Sequence, residues 1–248
     1  MSNKDIILVK LGGAIIEHEN NLTSSISQFQ TLIFKKNIIK KVIIIPGGGN
    51  YANFIRHIDK KSHLGDDLAH WEAILAMNWN AFNIHNKFRN TNLISEFSSL
   101  QKTLKANSES GEIIIFQPFA YLKYKDELPH RWTITSDSIA LYIANKCSLH
   151  ICYLIKDVDG IFDKNFELIK TITTQELRKL KQHNLLANLN ETDENIKLSR
   201  PIDQYSLELI DKYQLECVFL NGSGDKNNIL KYFSSSSENK KKFTRIIY

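Results

Sequence analysis

Ile7-Leu-Val-Lys10-Leu-Gly12-Gly13 and Val42-Ile-Ile-Ile-Pro46-Gly47-Gly48-Gly49 decide the fold. Each is a run of aliphatic, mostly β-branched residues that ends abruptly in glycines. Apolarity without alternation is what a strand shows when both faces are covered, as in a parallel sheet between helical layers. Similar runs occupy 6–11, 42–45, 113–116, 149–155 and 217–220, with helical patterns at 51–58, 68–88, 136–145, 174–181 and 204–213. This alternation predicts an α/β protein, a three-layer α/β/α sandwich around a mainly parallel sheet, with residues 1–248 as a single domain. Ligands in such a sheet gather beyond the carboxyl ends of the strands, where both sets of glycines lie.

The rest of the chain bounds the problem. Its 248 residues, 42% hydrophobic and 24% charged, can bury one substantial core. The net charge is +5, but the lysines are dispersed and the densest run, Lys240-Lys241-Lys242, reads as a solvated excursion near the carboxyl end. Nucleic acid is therefore not an expected partner. Cys147, Cys152 and Cys217 form no CxxC spacing, which predicts reduced thiols in a cytoplasmic protein and no metal site. No apolar run approaches the ~18 residues that cross a bilayer, and no leader pattern precedes the first strand. Residues 90–110 are polar with a helix at 96–104, 184–200 reads as a loop able to close over a nucleotide, and 243–248 is expected to return as a final edge strand.

Four constellations carry chemistry. Lys10, delivered to a strand end beside Gly12 and Gly13, suits a phosphoryl group in transit, although a tight turn with an exposed lysine would read the same. Gly47-Gly48-Gly49 opens a helix, where free amides and the helix dipole favour an anion. Neither loop matches GxxxxGK[ST] or GxGxxG, which argues against an ordinary P-loop or dinucleotide fold. In Leu128-Pro-His-Arg-Trp-Thr-Ile-Thr-Ser-Asp137-Ser-Ile-Ala, Thr135 or Ser136 caps a helix. Asp137 is then either a helix-start carboxylate or an ion-pair partner for Lys10. His130, Arg131 and Trp132 suit either recognition of a phosphate and a ring or simple packing. In Leu154-Ile-Lys156-Asp157-Val-Asp159-Gly160-Ile-Phe-Asp, the Asp-Gly turn either ends a strand or flanks a nucleotide.

In order and spacing, VKLGG, PGGG, TSDSIA and KDVDGIFD resemble the amino acid kinase family, whose members include acetylglutamate, aspartate, carbamate, uridylate and isopentenyl phosphate kinases. Ala69-His-Trp, Leu128-Pro-His and Pro46-Gly-Gly-Gly-Asn-Tyr-Ala-Asn-Phe-Ile-Arg56 resemble its methanofuran-biosynthesis branch in archaea and methylotrophs. That branch implies ATP with Mg²⁺ as phosphoryl donor, and [5-(aminomethyl)furan-3-yl]methyl phosphate as acceptor. Alternatives are another branch, acting on UMP, isopentenyl phosphate or an amino acid carboxylate, or a non-catalytic nucleotide-binding storage or regulatory subunit. The resemblance places Lys10 on the transferring group with Asp137 orienting it, and Gly12, Gly13, Lys156, Asp157, Asp159 and Gly160 on the nucleotide. Gly47, Gly48 and Gly49 go to the acceptor, with Arg56, His130, Arg131 and Trp132. A second catalytic lysine common in the family would correspond to Lys197, but Asn195-Ile-Lys-Leu-Ser-Arg-Pro-Ile-Asp203 lacks the glycines that usually surround it. Arg131 and Thr133 also replace the Ser and Asp expected for the branch. The family further implies a homo-oligomer, and helix 68–88 with Trp71, Ile74, Leu75 and Trp79 is either its interface or core.

Overall fold

The computed structural model describes residues 5–106, 110–187, 202–224 and 227–248. In chain order the elements are β1 (Ile6–Leu11), α1 (Gly13–Glu17), α2 (Glu19–Gln30), β2 (Lys41–Pro46), α3 (Gly49–Ser62), α4 (Asp66–Lys87), β3 (Asn92–Ile94), α5 (Phe97–Lys105) and β4 (Glu112–Phe116). They continue with α6 (Phe119–Lys125), α7 (Ser136–Lys146), β5 (Ile151–Lys156), β6 (Thr171–Thr173), α8 (Thr174–Gln182), α9 (Gln204–Tyr213), β7 (Glu216–Asn221), α10 (Asn228–Ser234) and β8 (Thr244–Ile247).

The eight strands form one sheet in the order β3-β4-β2-β1-β5-β7-β8-β6. The first six run parallel; β8 is antiparallel to β7 and parallel to β6. The carboxyl-terminal segment is therefore not the edge strand that its position in the chain suggests. It lies between β7 and β6, and β6, three residues long, takes the edge.

Side chains of β1 alternate between two cores. Leu8 packs with Ile43, Ile45, Cys152 and Leu154 under α4, α7 and α9, whereas Ile7, Val9 and Leu11 pack with Val42, Ile44 and Ile155 under α1 and α2. Every one of these residues is at most 2% exposed, which is the physical content of the unbroken apolar runs. The parity has a further consequence. Lys10 follows Leu8 by two and points into the α7 layer, and so does Lys156, which follows Leu154 by two on the neighbouring strand. Two lysines from adjacent central strands thus reach the same face at the same end of the sheet.

Helix α4 divides along its length. Trp71, Ile74 and Met77 are buried, whereas Leu75, Trp79 and Phe82 stay exposed, so the helix supplies both core and an open apolar face.

Candidate active site

Asp137 stands between the two lysines. Its Oδ1 lies 2.8 Å from Lys10 Nζ and its Oδ2 2.7 Å from Lys156 Nζ, and all three residues are buried. Burial alone would raise the carboxyl's pKa, but the charges and hydrogen bonds of Lys10 and Lys156 outweigh it and hold Asp137 well below the usual carboxylate range. The cluster carries one negative and two positive charges, a net +1 in a low-dielectric setting at the strand ends. An added anion, such as a phosphate, is the natural counter-charge.

Asp137 is fixed by its backbone as well. Thr135 caps α7 by accepting from the Asp137 amide at 3.2 Å. Asp203, at the start of α9, accepts from Thr135 Oγ1 (2.5 Å), Ser138 Oγ (2.6 Å) and the Ser206 amide (2.7 Å). One carboxylate therefore caps α9 and ties down the first turn of α7, so the Asp137 position is set by the packing of both helices.

The two glycine loops touch. A Cβ on Gly13 would lie 2.9 Å from Gly49 Cα, and one on Gly47 would come within 3.1 Å of Leu11 O. Their backbones are held from outside: Gly12 N donates to Ile155 O and Gly47 N to Leu11 O, both at 2.8 Å, while Asn80 Nδ2 donates to Gly47 O (2.7 Å) and Gly48 O (3.1 Å). Gly49 has φ +54°, which glycine adopts at no steric cost, and Gly48 at the α3 cap leaves that helix start without a side-chain cap. The first turn of this 14-residue helix, whose amides have no side-chain cap, thus begins where the two loops meet.

A cleft of about 270 Å³ runs from this contact between α3 and α4. Gly13, Gly48 and Gly49 form its inner end; Arg56, Arg131 and Trp132 line it further out. The Arg56 guanidinium lies 4.6 Å from the centre of the Trp132 ring and donates to Asn53 Oδ1, and the Trp132 indole donates to Asp59 Oδ2 at 2.7 Å. Trp132 is thereby anchored to α3, with Arg56 folded back along the helix.

His130 is placed differently. It does not line the cleft: its Nδ1 meets Asp67 Oδ1 at 2.6 Å and its Nε2 meets Asp126 Oδ1 at 2.7 Å. Two carboxylates on two ring nitrogens require the imidazolium. Partial burial works against that charge, but the bonds to Asp67 and Asp126 win and raise the pKa. The residue that does reach the cleft is His70, buried on α4 and stacked on His130 at 4.6 Å. Asp66 and Glu17 also line it, Glu17 with Oε1 only 3.2 Å from where a Gly49 Cβ would be. The two carboxylates do not stand out in the sequence, and His70 does so only as the centre of Ala69-His-Trp, with no role attached to it. His70 sits inside an apolar helical pattern, and the two carboxylates look like ordinary surface charge.

On the other side, Lys156, Asp157, Asp159 and Gly160 follow β5. Asp159 accepts from Asn221 Nδ2 at 2.8 Å and pairs with Lys242 Nζ at 3.1 Å, tying the turn to β7 and the segment leading into β8. Gly160 has a structural reason to be glycine, because a Cβ there would lie 2.3 Å from Thr244 Oγ1. Lys197 and most of the 184–200 segment lie outside the described residues.

Residues 5–220 match the amino acid kinase family. The chain belongs to the amino acid kinase family. It is a phosphotransferase. A relative within it, the [5-(aminomethyl)furan-3-yl]methyl phosphate kinase of Methanocaldococcus jannaschii, is 32% identical over 175 residues, covering 70% of this chain and 76% of that protein. Among solved structures, the UMP kinase from Ureaplasma parvum aligns with a TM-score of 0.68 at 19% identity, covering 99% of this chain and 100% of that one. The aspartate kinase from Synechocystis aligns at 0.64 and 12% identity, covering 98% of this chain and 39% of that one. At those identities the two structures speak to the kinase's fold alone. Among the described residues, no helix is long and apolar enough to cross a membrane.

Proposed function

We propose that this kinase transfers the γ-phosphoryl group of ATP to a small phosphate monoester, [5-(aminomethyl)furan-3-yl]methyl phosphate, acting as a single domain over residues 1–248 in the cytoplasm. The observation that carries the proposal is the contact between the glycine loops beside the Lys10–Asp137–Lys156 cluster, with a cleft leading away from one side. The acceptor comes from the relative in Methanocaldococcus jannaschii and suits a cleft of about 270 Å³ that has two guanidinium groups and an apolar floor of Ala73, Ile74 and Met77.

The step balances without a general base. An ionised oxygen of the acceptor phosphate attacks the γ-phosphorus, a new P–O–P bond forms, the bond to the β-phosphate oxygen breaks, and ADP leaves with that electron pair. Lys10 meets the negative charge on the transferring group, Asp137 holds Lys10 and Lys156 in place, and the amides at Gly12, Gly13 and Gly47 to Gly49 position the phosphates on either side. Asp157, Asp159 and Gly160 shape the nucleotide side, and Arg56, Arg131 and Trp132 the acceptor side. Among the described residues no cluster of His, Cys, Asp or Glu fits a metal, and Asp137 is already engaged by both lysines. Mg²⁺ would come with the nucleotide, held mainly by its phosphates and water, and would neutralise phosphate charge there.

The test is ADP release by the purified protein with Mg-ATP and, in parallel, the furan phosphate, UMP, isopentenyl phosphate and amino acid carboxylates. Turnover confined to the furan phosphate supports the proposal, and turnover of UMP or a carboxylate instead moves the kinase to another branch. We further read the exposed Tyr51, Phe54, Leu75, Trp79 and Phe82 on α3 and α4 as the contact between two copies of the chain. Trp79→Lys should then halve the mass measured by light scattering, and an unchanged mass excludes this face.

A further inference from the structure

His70 is an anomaly on a helix face that is otherwise plain. Asp66, His70, Ala73, Ile74 and Met77 follow one another at helical spacing along α4, so one stripe of the helix lines the cleft. At the inner end that stripe is apolar; at the outer end it carries a carboxylate and an imidazole one turn apart. His70 is only 7% exposed and lines the cleft, yet among the described residues no hydrogen bond engages either of its ring nitrogens, and none engages the Asp66 carboxylate. Neither ring nitrogen is among the fully buried polar atoms that lack a partner, so the edge of this otherwise buried ring opens into the cleft, where an entering group can meet it.

The surroundings decide what enters. Burial and the adjacent His130 imidazolium push the His70 pKa down to about 4, so the ring is neutral and offers a lone pair as well as an N–H. His130 is itself balanced twice, by Asp67 and Asp126; with Asp66 and the Lys123 ammonium over Trp71, three carboxylates face two cations at this end of α4. Arg56 is held along α3 by Asn53 and lies over the Trp132 ring. Along α4 the cleft thus presents a carboxylate beside a neutral imidazole, away from the glycine end where Glu17 stands, and Arg56 and Arg131 also line it.

We propose that Asp66 and His70 form a subsite for a protonated amine at the far end of the acceptor, and so select an ammonium-bearing phosphate over a neutral one. Asp66 supplies the counter-charge and His70 Nδ1 or Nε2 accepts a hydrogen bond from the ammonium. This assignment rests on the acceptor proposed above and adds the residues that read its amine.

The experiment measures KM and kcat with two acceptors, [5-(aminomethyl)furan-3-yl]methyl phosphate and the same phosphate bearing a methyl group in place of the aminomethyl. The wild type should prefer the amine by about ten-fold or more in kcat/KM, the scale of one hydrogen-bonded charge pair. Asp66→Asn should raise KM for the amine by about ten-fold while moving the methyl compound less than two-fold, and His70→Phe, which keeps the stacking on His130, should do likewise. Asp66 is exposed, so its variant carries the test even where His70→Phe folds poorly. Equal effects on both acceptors, or an amine-selective loss in Glu17→Gln but not in Asp66→Asn, overturns the subsite and leaves the acceptor standing. No turnover of the amine by the wild type overturns both.

Discussion

Asp137→Asn separates an electrostatic role for this side chain from a merely steric one. In the folded kinase one buried carboxylate serves two buried ammonium groups, at 2.8 and 2.7 Å. Asparagine keeps the shape and the helix position but removes the charge, and its amide N–H₂ then faces a lysine. Breaking a buried ion pair from one side typically costs about 3–5 kcal/mol, because the remaining charge is left uncompensated. For a chain of this size each kcal/mol is worth about 2–4 °C in Tm, so the variant should melt roughly 6–20 °C below the wild type in calorimetry. The charge argument makes a second demand. A polyphosphate between the loops supplies negative charge to the same lysines, so Mg-ATP or pyrophosphate should stabilise Asp137→Asn by more degrees than it does the wild type. The pH dependence has a definite sign. The folded pKa of Asp137 is depressed, so its contribution is fully present above the unfolded carboxylate value of ~3.9 and is lost as pH falls toward the folded value. The gap between wild type and variant should be flat from about pH 5 to 8 and close below about pH 4. A loss under about 1 kcal/mol, or one that phosphate ligands leave untouched, would refute the view that Asp137 holds two charged lysines for an anion.

Lys10→Met should cut turnover by at least about 100-fold while costing less stability than Asp137→Asn, because Asp137 keeps Lys156; stopped-assay rates and Tm values on the same preparations compare the two. Gly13→Ala places a Cβ 2.9 Å from Gly49 Cα and should lower kcat by separating the loops, whereas Gly65→Ala, with no atom within 4 Å of the new Cβ but a backbone at φ 84° and ψ 156° that suits glycine alone, should cost roughly 1–3 kcal/mol and leave kcat unchanged. The raised pKa of His130 gives the opposite pH sense to Asp137. Its contribution is present below the unfolded value of ~6.5 and is lost as pH rises through the folded one, so the Tm difference between wild type and His130→Ala should be larger at pH 5.5 than at pH 9.

The parts of this fold legible in the sequence are those where local pattern and tertiary environment agree. The central strands β1, β2, β4, β5 and β7 are buried on both faces and read as unbroken apolar runs, and α7 announces itself by Thr135 and the residues after it. The strands β3 and β6 are not legible because three residues carry no period, and both lie at sheet edges where half the side chain stays wet. Helix α2 is hidden for a different reason. Leu22, Ile26 and Phe29 have helical spacing, but the intervening Asn, Thr and Ser residues favour turns and caps, and only packing against β1 outvotes them. The position of β8 inside the sheet depends on pairing with β7, a long-range contact that no local window contains.

The same division runs through the site. The half proposed to handle phosphate is written in glycine and lysine because amides without a neighbouring Cβ let an anion approach closely, so Gly47 to Gly49 and Lys10 stand out in the order of residues alone, whereas Asp137 reads equally as a helix-start carboxylate until its pairing with Lys10 is seen. Lys156 joins them through strand parity, which the register of β1 and β5 makes explicit: Lys10 opposes Leu154, and two residues later the chain faces the same way. The acceptor half uses residue types that are common on any helix. Asp66 passes for a helix-start carboxylate, and in part it is one, as is its neighbour Asp67, which His130 takes. What distinguishes Asp66 and His70 is that α3 and α4 pack so as to turn both toward the cleft, while the two carboxylates bonded to His130 are already engaged. On the proposed reading, specificity for the acceptor is a property of how two helices are set side by side, open to change by substitution at positions such as 66 and 70 while the glycine loops and the lysine pair keep the chemistry constant.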